Sequence, residues 1–390
     1  MPRYADQWNP PPEVSELDAL VYRSNVLASD RSIVNFGGGN TSVKVTQPDH
    51  VGRETTVLWV KGSGSDLATI TAGGFTGLRL DEILPLTSRD AMSDAEMVAY
   101  LARCQLDPSM PRPSIETLLH AFVPHPHVDH THPDAIGALV GTKEGERLAR
   151  ECFGADAVWI PYIRPGFALS KLVADAVREH PDAKLVLLAK HGLVTWGDTA
   201  EESYRSTLEA INRAAAFSAE RTSAAVPFGG TALAAVTDER RDELLLDVLP
   251  AIRGVVSLDG PRILQVDTSP EAVAFACGAD SPELSQVGAA CPDHLVHTRR
   301  TPVFVPFDDD AATLRERVVA AIEAWQQDEI VFFERHREDE SFNDPSPRIV
   351  VLQGLGLVSV GRTVKAARIA RDLYRRAIAV MEVASALGGF

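Results

Sequence analysis

The sequence predicts an α/β protein of two domains. Strand-like apolar runs that end in glycine turns alternate with segments of helical spacing along most of the 390 residues. The stretch SAAVPFGGTAL at residues 223–233 is rich in small residues, glycine and proline, which is typical of a domain boundary. We therefore expect a first domain at residues 1–224 and a second, smaller α/β domain at residues 230–390.

The first domain is predicted to begin with an amphipathic helix at residues 14–29. Two strands follow, in NFGGGNTSVKV and TVLWVKGSG, and each adjoins a glycine turn. Helical spacing predicts a helix in TSRDAMSDAEMVAYLARCQL, with Ser93 as N-cap, and a short helix in SIETLLHAFV. The remaining predictions are a strand, turn and helix in VDHTHPDAIGALVG, a buried hairpin at 183–197 and a long helix at 201–222.

Shorter signals predict the elements of the second domain. RGVVSL and RILQVD are strand-like, and SPEAVAFACG has helical spacing. RIVVLQGLGLVSVGR predicts a second buried hairpin, which leads into the long helix ARIARDLYRRAIAVMEVASAL.

Composition and charge restrict the classes of partner. The formal net charge is −16, so the chain lacks the basic surface that nucleic acids and anionic membranes require. We expect neither a nucleic-acid partner nor a membrane partner, because no apolar run approaches the length of a membrane span. The polar N-terminus has no apolar signal region, and the four cysteines form no CxxC. A cytoplasmic protein with free buried thiols is therefore expected.

The stretch HPHVDHTHPD at residues 125–134 predicts half of a metal site. Two histidines separated by one residue on a strand face the same side, and His130 and His132 form the better such pair. A catalytic Zn²⁺ site usually takes three protein ligands, and His191 at the tip of the predicted hairpin is the best third ligand. The neighbouring histidines are assigned to turn formation, packing or hydrogen bonding around the site: His120, His125 and His127.

Glu116 is the predicted acid–base group of this site. It lies fourteen residues before His130, on the short helix that leads to the histidine strand. A carboxylate beside a divalent metal can remove a proton from a carbon whose negative charge the metal then stabilises. The alternative is a glutamate that only stabilises the N-terminus of its helix.

The predicted hairpin of the first domain has an apparent copy in the second. KLVLLAKHGLVTWGDT at 184–199 and RIVVLQGLGLVSVGRT at 348–363 share an apolar strand, a turn, GLV, a glycine and a threonine. A weaker similarity links residues 114–132 with residues 281–299. We therefore predict that residues 230–390 contain a degenerate half-repeat without the metal site. Leu355 would stand in place of His191, and Arg299 in place of His132. The alternative is convergence of two similar hairpins.

Five motifs in this order resemble the class II aldolase/adducin family: GGGNTSVK, KGSGSDL, PSIETLLH, DHTHPDA and KHGLVTWG. They cover about residues 14–222. The later CPDHLVHTRRTPVFV and GLGLVSVG segments resemble longer proteins that join a rhamnulose-phosphate-type aldolase to a short-chain dehydrogenase. The resemblance implies an α/β/α sandwich on a largely antiparallel sheet. It also implies Zn²⁺ or another divalent metal on His130, His132 and His191, with Glu116 as general acid/base.

The reaction implied by the resemblance is that of a carbon–carbon lyase, or aldehyde-lyase. A ketose or ketose 1-phosphate of the rhamnulose or fuculose type would undergo retro-aldol cleavage through a metal-stabilised enediolate. The family pattern maps substrate and phosphate binding onto residues of two glycine turns and one serine: Asn40, Thr41, Ser42, Ser63, Gly64 and Ser114. Ile115 departs from the pattern, because small sugar-phosphate aldolases often have a second serine there. No GxGxxG motif is present, so no dinucleotide site is expected.

Two other functions are compatible with the same resemblance. A sugar-phosphate 4-epimerase performs the same bond cleavage and then re-adds the aldehyde. An adducin-like interaction module keeps the fold without the chemistry. The resemblance further implies a homo-oligomer with a sugar or sugar-phosphate substrate. Longer relatives continue into a dehydrogenase domain, whereas this sequence ends at Phe390 and is either a stand-alone aldolase or part of a longer protein.

Overall fold

A computed structural model of the chain describes residues 4–49, 51–337, 341–342 and 344–390. Residues 1–3 of the predicted polar N-terminus lie outside the described residues. The chain divides into two compact units, Met1–Ser223 with Leu387–Gly389, and Ala224–Ala386 with Phe390. Among the described residues, no helix is both long and apolar enough to cross a membrane.

The first unit combines one sheet with helices on both faces. Its strands are β1 (Asn40–Pro48), β2 (Glu54–Lys61), β3 (Phe75–Arg79), β4 (His127–Thr131), β5 (Ala157–Ile160), β6 (Leu185–Leu188) and β7 (Gly192–Gly197). Its helices are α1 (Glu16–Ser29), α2 (Leu80–Ile83), α3 (Asp94–Cys104), α4 (Thr117–Phe122), α5 (Asp134–Val140), α6 (Gly145–Phe153), α7 (Phe167–Glu179) and α8 (Ala200–Thr222).

The strand order of the first sheet is β3-β2-β1-β4-β7-β6-β5, and only the β5–β6 pair is parallel. Side chains alternate between the two faces of β4. Asp129 meets Arg23 of α1 and Ser203 of α8 on one face. Val128 packs in a core cluster with residues of α4 and α7 on the other. The predicted α/β/α sandwich on a largely antiparallel sheet is therefore confirmed.

Local sequence signals account for several helix boundaries. The predicted N-cap Ser93 begins α3 with a capping box: its hydroxyl accepts from the Glu96 amide, and the Glu96 carboxylate accepts from the Ser93 amide at 2.9 Å. Thr199 and Glu202 form the same arrangement at the start of α8. The four cysteines are free and buried, as predicted: Cys104, Cys152, Cys277 and Cys291.

The second unit contains a smaller sheet. Its strands are β8 (Ile263–Asp267), β9 (Val303–Val305), β10 (Ile349–Leu352) and β11 (Gly356–Gly361), in the order β8-β11-β10-β9. Its helices are α9 (Asp238–Val256), α10 (Pro270–Cys277), α11 (Ser281–Leu284), α12 (Pro292–Thr298), α13 (Ala311–His336) and α14 (Val364–Gly388).

The strand prediction for RGVVSL is wrong. Residues 253–256 form the last turn of α9. Leu244, Val248, Ile252 and Val256 are buried at four-residue spacing along one side of that helix. A six-residue window contains too little of this pattern to distinguish the end of a helix from a strand.

The two sheets share a strand order and a set of directions. In β8-β11-β10-β9, as in β4-β7-β6-β5, one parallel pair adjoins two antiparallel pairs. A Cβ on Gly192 would lie 2.5 Å from the Thr131 carbonyl oxygen, and one on Gly356 would lie 2.4 Å from that of Asp267. Both positions therefore require glycine, because the neighbouring backbone comes too close for a side chain. The half-repeat stays a prediction. If the two sheets are matched strand by strand, β8 corresponds to β4.

The predicted equivalence of Arg299 and His132 is consequently wrong. Thr131 of β4 pairs with Leu193, the residue after Gly192, and Asp267 of β8 pairs with Leu357, the residue after Gly356. Asp267 therefore corresponds to Thr131, and the next residue, Thr268, corresponds to His132. Arg299 instead caps the C-terminus of helix α12. Its segment VHTR resembles DHTH in sequence but does not form a strand. Leu355 lies in the β10–β11 turn at the position that His191 takes in the β6–β7 turn.

Candidate metal centre

Three buried imidazoles converge in the first unit. His130 belongs to β4, His132 directly follows it, and His191 lies in the turn between β6 and β7. The antiparallel pairing of β4 with β7 brings the turn beside the end of β4. The Nε2 atom of His130 is 3.1 Å from Nε2 of His132 and 3.1 Å from Nε2 of His191. The structure thus brings all three predicted metal ligands together.

Hydrogen bonding fixes the orientation of the central ring. The Nδ1 atom of His130 lies 2.9 Å from the carbonyl oxygen of Leu193. A carbonyl oxygen only accepts, so Nδ1 carries a proton and Nε2 is the atom that faces the other two histidines. Burial lowers the pKa of His191 to about 4 despite the facing Glu116 carboxylate, so this ring is neutral at pH 7.

This donor set fits a divalent metal ion. A single proton can serve only one of the short N···N contacts around His130 Nε2, whereas a cation accepts a lone pair from each nitrogen. Tetrahedral Zn²⁺ with Zn–N bonds of about 2.0–2.1 Å would separate its nitrogens by about 3.3 Å. The observed separations of 3.1 Å are close to this value. The hydrogen bond from His130 Nδ1 to a backbone carbonyl is the usual support for a metal-binding imidazole.

Glu116 lies against the same three rings. It occupies the N-cap position of α4, and its Oε1 is 3.2 Å from Nε2 of both His130 and His191. Its other oxygen accepts a 2.6 Å hydrogen bond from the side-chain amide of Asn40. Burial opposes ionisation, but His130 and His191 hold the pKa of Glu116 well below its ordinary value. The site therefore places an oriented carboxylate beside the three imidazoles.

The predicted substrate residues on β1 have different surroundings. Asn40 and Ser42 lie on the face of β1 that packs against Glu116. The Ser42 hydroxyl is 2.8 Å from Nδ1 of the buried His120. The Thr41 hydroxyl is buried on the opposite face, 2.6 Å from the Ser24 hydroxyl of α1. The prediction that Thr41 binds substrate is therefore wrong for its side chain, because adjacent residues of a strand face opposite sides.

The other three predicted substrate residues lie in neighbouring segments. A β-bridge between Gly62 and Pro113 joins the turn that contains Ser63 and Gly64 to the segment that contains Ser114. The Ser63 amide donates to the Arg112 carbonyl at 2.8 Å, and the Ser114 hydroxyl accepts from the Glu116 amide at 3.3 Å. Gly64 has φ +83° and open space around it. Substrate binding by these residues stays a prediction.

Lys61 has a structural role that the sequence did not reveal. Its Nζ donates to the carbonyl oxygens of Gly37, Gly38 and Gly39, at 2.5, 3.2 and 2.8 Å. This ammonium group at the end of β2 holds the glycine loop that precedes Asn40. One indication of this role was present in the sequence: Lys61 ends an apolar strand and lies between two glycine turns.

A buried ionic network lies on the opposite face of β4 and was also missed. Arg23 is fully buried and contacts the Asp129 carboxylate at 2.9 Å, His127 Nδ1 at 2.8 Å and the Ser42 carbonyl at 2.8 Å. A guanidinium only donates, so His127 accepts at Nδ1. Burial, reinforced by Arg23 and then Lys44, lowers the pKa of His127 to about 3.

The remaining histidines agree with their predicted structural roles. His125 lies in a turn between two prolines and stacks on Trp196, with ring centroids 5.1 Å apart. His120 is fully buried, and burial holds its pKa well below the ordinary value. Neither belongs to the group of three rings that could hold a metal ion.

Comparison with known proteins identifies both units. A model of the class II aldolase and adducin N-terminal domain matches residues 18–217, and a model of the second domain of class II aldolases matches residues 243–390. A solved structure, the N-terminal class II aldolase domain of a conserved protein from Thermoplasma acidophilum, is 42% identical. It covers 55% of this chain and 99% of its own, with a TM-score of 0.52.

A curated relative extends the match over nearly the whole chain. The protein named "Uncharacterized oxidoreductase YuxG" from Bacillus subtilis (strain 168) is 46% identical over 378 residues. The alignment covers 96% of this chain and 55% of the relative. The chain therefore spans about half the length of the curated relative that it matches.

The pKa of His127 predicts a specific dependence of stability on pH. His127 titrates near pH 6.5 when unfolded and near pH 3 when folded, so the unfolded state binds an additional proton between these values. Its contribution to stability is complete above about pH 6.5 and is lost as the pH falls. We expect the free energy of unfolding of wild type to fall about 1–2 kcal/mol more than that of His127→Asn between pH 7 and pH 5.

Urea unfolding of both proteins at the two pH values measures this difference. Asparagine keeps an acceptor for Arg23 without a titrating group, and Glu16 and Lys44, the other charged groups near His127, are present in both proteins. Equal losses of stability in the two proteins would contradict the assignment of a neutral buried His127.

Proposed function

The chain belongs to the class II aldolase and adducin family, and on that premise we propose that its first unit is a zinc-dependent aldolase. Its substrate is a ketose or a ketose 1-phosphate, which it cleaves by a retro-aldol reaction. The observation that carries the proposal is the convergence of three buried imidazoles beside the Glu116 carboxylate. A non-catalytic interaction module has no need for this buried arrangement of polar groups.

The site residues divide the work of binding and proton transfer. His130, His132 and His191 would hold the metal, which when bound supplies a Lewis acid for the negative charge that develops during cleavage. Cleavage breaks a carbon–carbon bond: the hydroxyl on the carbon that becomes the aldehyde loses a proton, and the carbon that keeps the electron pair gains one. We assign the second transfer to Oε1 of Glu116, which as a carboxylate first takes up a proton released during cleavage and then delivers it to carbon; in the reverse reaction the same atom removes that proton.

Asn40 and the burial of the site keep Glu116 in position. The amide of Asn40 occupies Oε2, so Oε1 remains directed at His130 and His191. Glu116 is only 8% exposed and Asn40 only 5%. Restricted access of water strengthens the electrostatic contacts of the carboxylate and limits loss of the proton to solvent.

Substrate binding is proposed for polar groups in the segments next to Glu116. Ser63, Gly64 and Ser114 are the best positions for a phosphate or hydroxyl group, because Gly64 has open space and Ser114 adjoins Glu116. The half-buried Ile115 packs against a hydrophobic core cluster, so this position supplies no second hydroxyl for phosphate binding. We further propose that the protein is a homo-oligomer, on the family resemblance alone.

Oxidoreductase activity is not part of the proposal. The curated relative carries that word in its name, but this chain matches only about half of it. The sequence contains no GxGxxG motif between a strand and a helix, which is the usual dinucleotide-binding signature.

Removal of one metal ligand should abolish both metal binding and cleavage. We expect His191→Ala to lose stoichiometric zinc and to release no aldehyde from a panel of ketoses and ketose 1-phosphates, because two imidazoles hold zinc poorly. His125→Ala is the matched control, since His125 lies outside the three rings, and it should keep both properties. Metal analysis and aldehyde detection provide the two readouts.

Zinc and cleavage unchanged in His191→Ala would contradict the assigned site. Conversion of the substrate to its C4 epimer without free aldehyde would identify a 4-epimerase instead. A wild-type protein that binds no divalent metal would favour the interaction module.

Glu116→Gln should separate catalysis from metal binding. Glutamine keeps the size of the side chain and can still pair with Asn40, but it cannot take up or deliver the proton. We expect zinc content to remain near that of wild type while kcat falls by about 10²–10⁴-fold.

Glu96→Gln is the matched control for this substitution, because Glu96 is an exposed glutamate at a helix N-terminus with no contact to the histidines. Its kcat should equal that of wild type. Substantial turnover in Glu116→Gln would show that another group transfers the proton.

A further inference from the structure

The sheet of the second unit ends in an open edge strand. In the order β8-β11-β10-β9, β11 is the only strand of the described residues that pairs with β8. The matching strand of the first sheet is β4, and its outer edge carries the antiparallel strand β1. The place that β1 takes beside β4 is therefore not filled by a strand beside β8, within the part of the chain that the structure describes.

The register shows which backbone groups of β8 face outward. The Val360 amide donates to the Arg348 carbonyl, just before β10, at 2.8 Å. Bonding directions alternate along an antiparallel ladder, so even-numbered residues of β11 bond towards β10 and odd-numbered ones towards β8. Leu264 and Val266 pair with even-numbered residues, and their amides and carbonyls consequently point away from β11. No hydrogen bond from another described residue reaches these groups.

A groove of about 780 Å³ lies beside this edge, between β8 and the C-terminal half of helix α9. The side chain of Arg253 connects the two elements, because its Nε donates to the outward carbonyl of Arg262 at 3.2 Å. An open edge strand next to a helix is an arrangement by which proteins bind extended peptides. The groove is lined by Leu249, Pro250, Arg253, Gly254, Ser257, Pro261, Arg262, Ile263 and Leu264.

Most of the groove surface is apolar. Leu249, Ile263 and Leu264 are only half-buried. Leu246, one turn before Leu249 on the same side of α9, is 77% exposed, and Leu258 is 82% exposed. Contiguous exposed apolar surface usually marks an interaction site. β8 itself contains no lysine or proline, the residues with which proteins commonly protect an edge strand from pairing.

The groove carries one positive charge without a counterion, at the end where β8 begins. Arg253 is exposed and forms no ion pair with a described residue. Arg262 is 1% exposed, and its guanidinium contacts the carboxylates of Asp259 and Asp344 at 2.5 and 3.2 Å. No aspartate or glutamate is among the described residues that line the groove. The charge of Arg253 is therefore complementary to a carboxylate.

We propose that this groove binds the C-terminus of a partner protein, as an extended apolar segment that ends in its free carboxylate. The segment adds to the sheet as a fifth strand, antiparallel to β8 as β1 is to β4. Its backbone pairs with the outward groups of Leu264 and Val266, and its apolar side chains lie in the groove. This interaction is independent of the proposed aldolase activity.

The contact between Arg253 and Arg262 favours a chain end over a continuing strand. An antiparallel partner runs towards the start of β8, where the next outward acceptor is the Arg262 carbonyl. Arg253 already occupies this acceptor. The added ladder consequently ends there, and the terminal carboxylate of the partner meets the guanidinium of Arg253.

Fluorescence anisotropy of labelled peptides with the full chain tests the proposal. The probe is a hexapeptide of alternating threonine and valine, with fluorescein at its N-terminus and a free C-terminal carboxylate. One matched peptide has a C-terminal amide, and in the other two prolines replace the central residues and remove their amides. We expect a Kd of about 10–100 µM for the probe, about tenfold weaker binding of the amide, and no measurable binding of the proline peptide.

Arg253→Ala should abolish the preference for the free carboxylate. We expect about a tenfold loss of affinity for the probe and unchanged affinity for its amide, because only the probe has a charge for Arg253 to bind. Arg315→Ala is the matched control, since Arg315 is an exposed arginine of α13 that has no described ion-pair partner and lies outside the groove lining. It should keep the preference, and both variants should unfold at the temperature of wild type.

Three results would overturn the proposal. The first is an absence of probe binding up to about 1 mM. In that case, a dimer in sedimentation that Leu264→Pro dissociates would assign the edge to a second copy of the chain. The second is an equal preference for the carboxylate in Arg253→Ala and Arg315→Ala. The third is binding of the proline peptide as tight as that of the probe, which would exclude pairing with the edge of β8.

Discussion

The alternation of side chains along β4 is the constraint on which the site depends. His130 and, just beyond the strand, His132 face Glu116, while His127 and Asp129 face the opposite layer of helices. A shift of register by one residue would exchange these two faces, and it would place the imidazoles among the groups that now pair with Arg23. The pairing of β4 with β1 on one side and β7 on the other opposes such a shift. The candidate metal site and the buried ionic network therefore lie on opposite faces of one five-residue strand.

The ionic network on the second face ties the surrounding elements to β4. Arg23 of α1 contacts Asp129 of β4 and the Ser42 carbonyl of β1, and Ser203 of α8 donates to Asp129 at 2.7 Å. Removal of one partner from a buried ion pair typically costs about 3–5 kcal/mol, because the other charge remains desolvated. A strand held in this way presents the histidines on its other face in a fixed orientation, which is the preorganisation that a metal site requires. Lys61 extends the same principle to the glycine loop before Asn40.

Local patterns in the sequence predicted much of this site, and long-range packing determined the rest. The HxH spacing and the hairpin histidine predicted which three imidazoles come together, because strand alternation and a tight turn are local properties. Arg23 was missed because a helix sequence does not reveal which of its polar residues will face a buried carboxylate. Thr41 was misassigned because the family pattern was carried over without regard to the face of the strand on which it lies. Two predictions were wrong for the same reason: the strand in RGVVSL and the equivalence of VHTR with the histidine strand. Both short segments belong to helices, which a few residues read in isolation do not reveal.

The central claim is that three imidazoles form the metal site, and X-ray absorption at the zinc edge tests it most directly. We expect the zinc-loaded protein to show nitrogen and oxygen neighbours at about 2.0–2.1 Å, with the multiple-scattering signal of three imidazole rings. A sulfur neighbour at about 2.3 Å would place the metal on a cysteine instead and would contradict the account. A spectrum without imidazole scattering would contradict it equally.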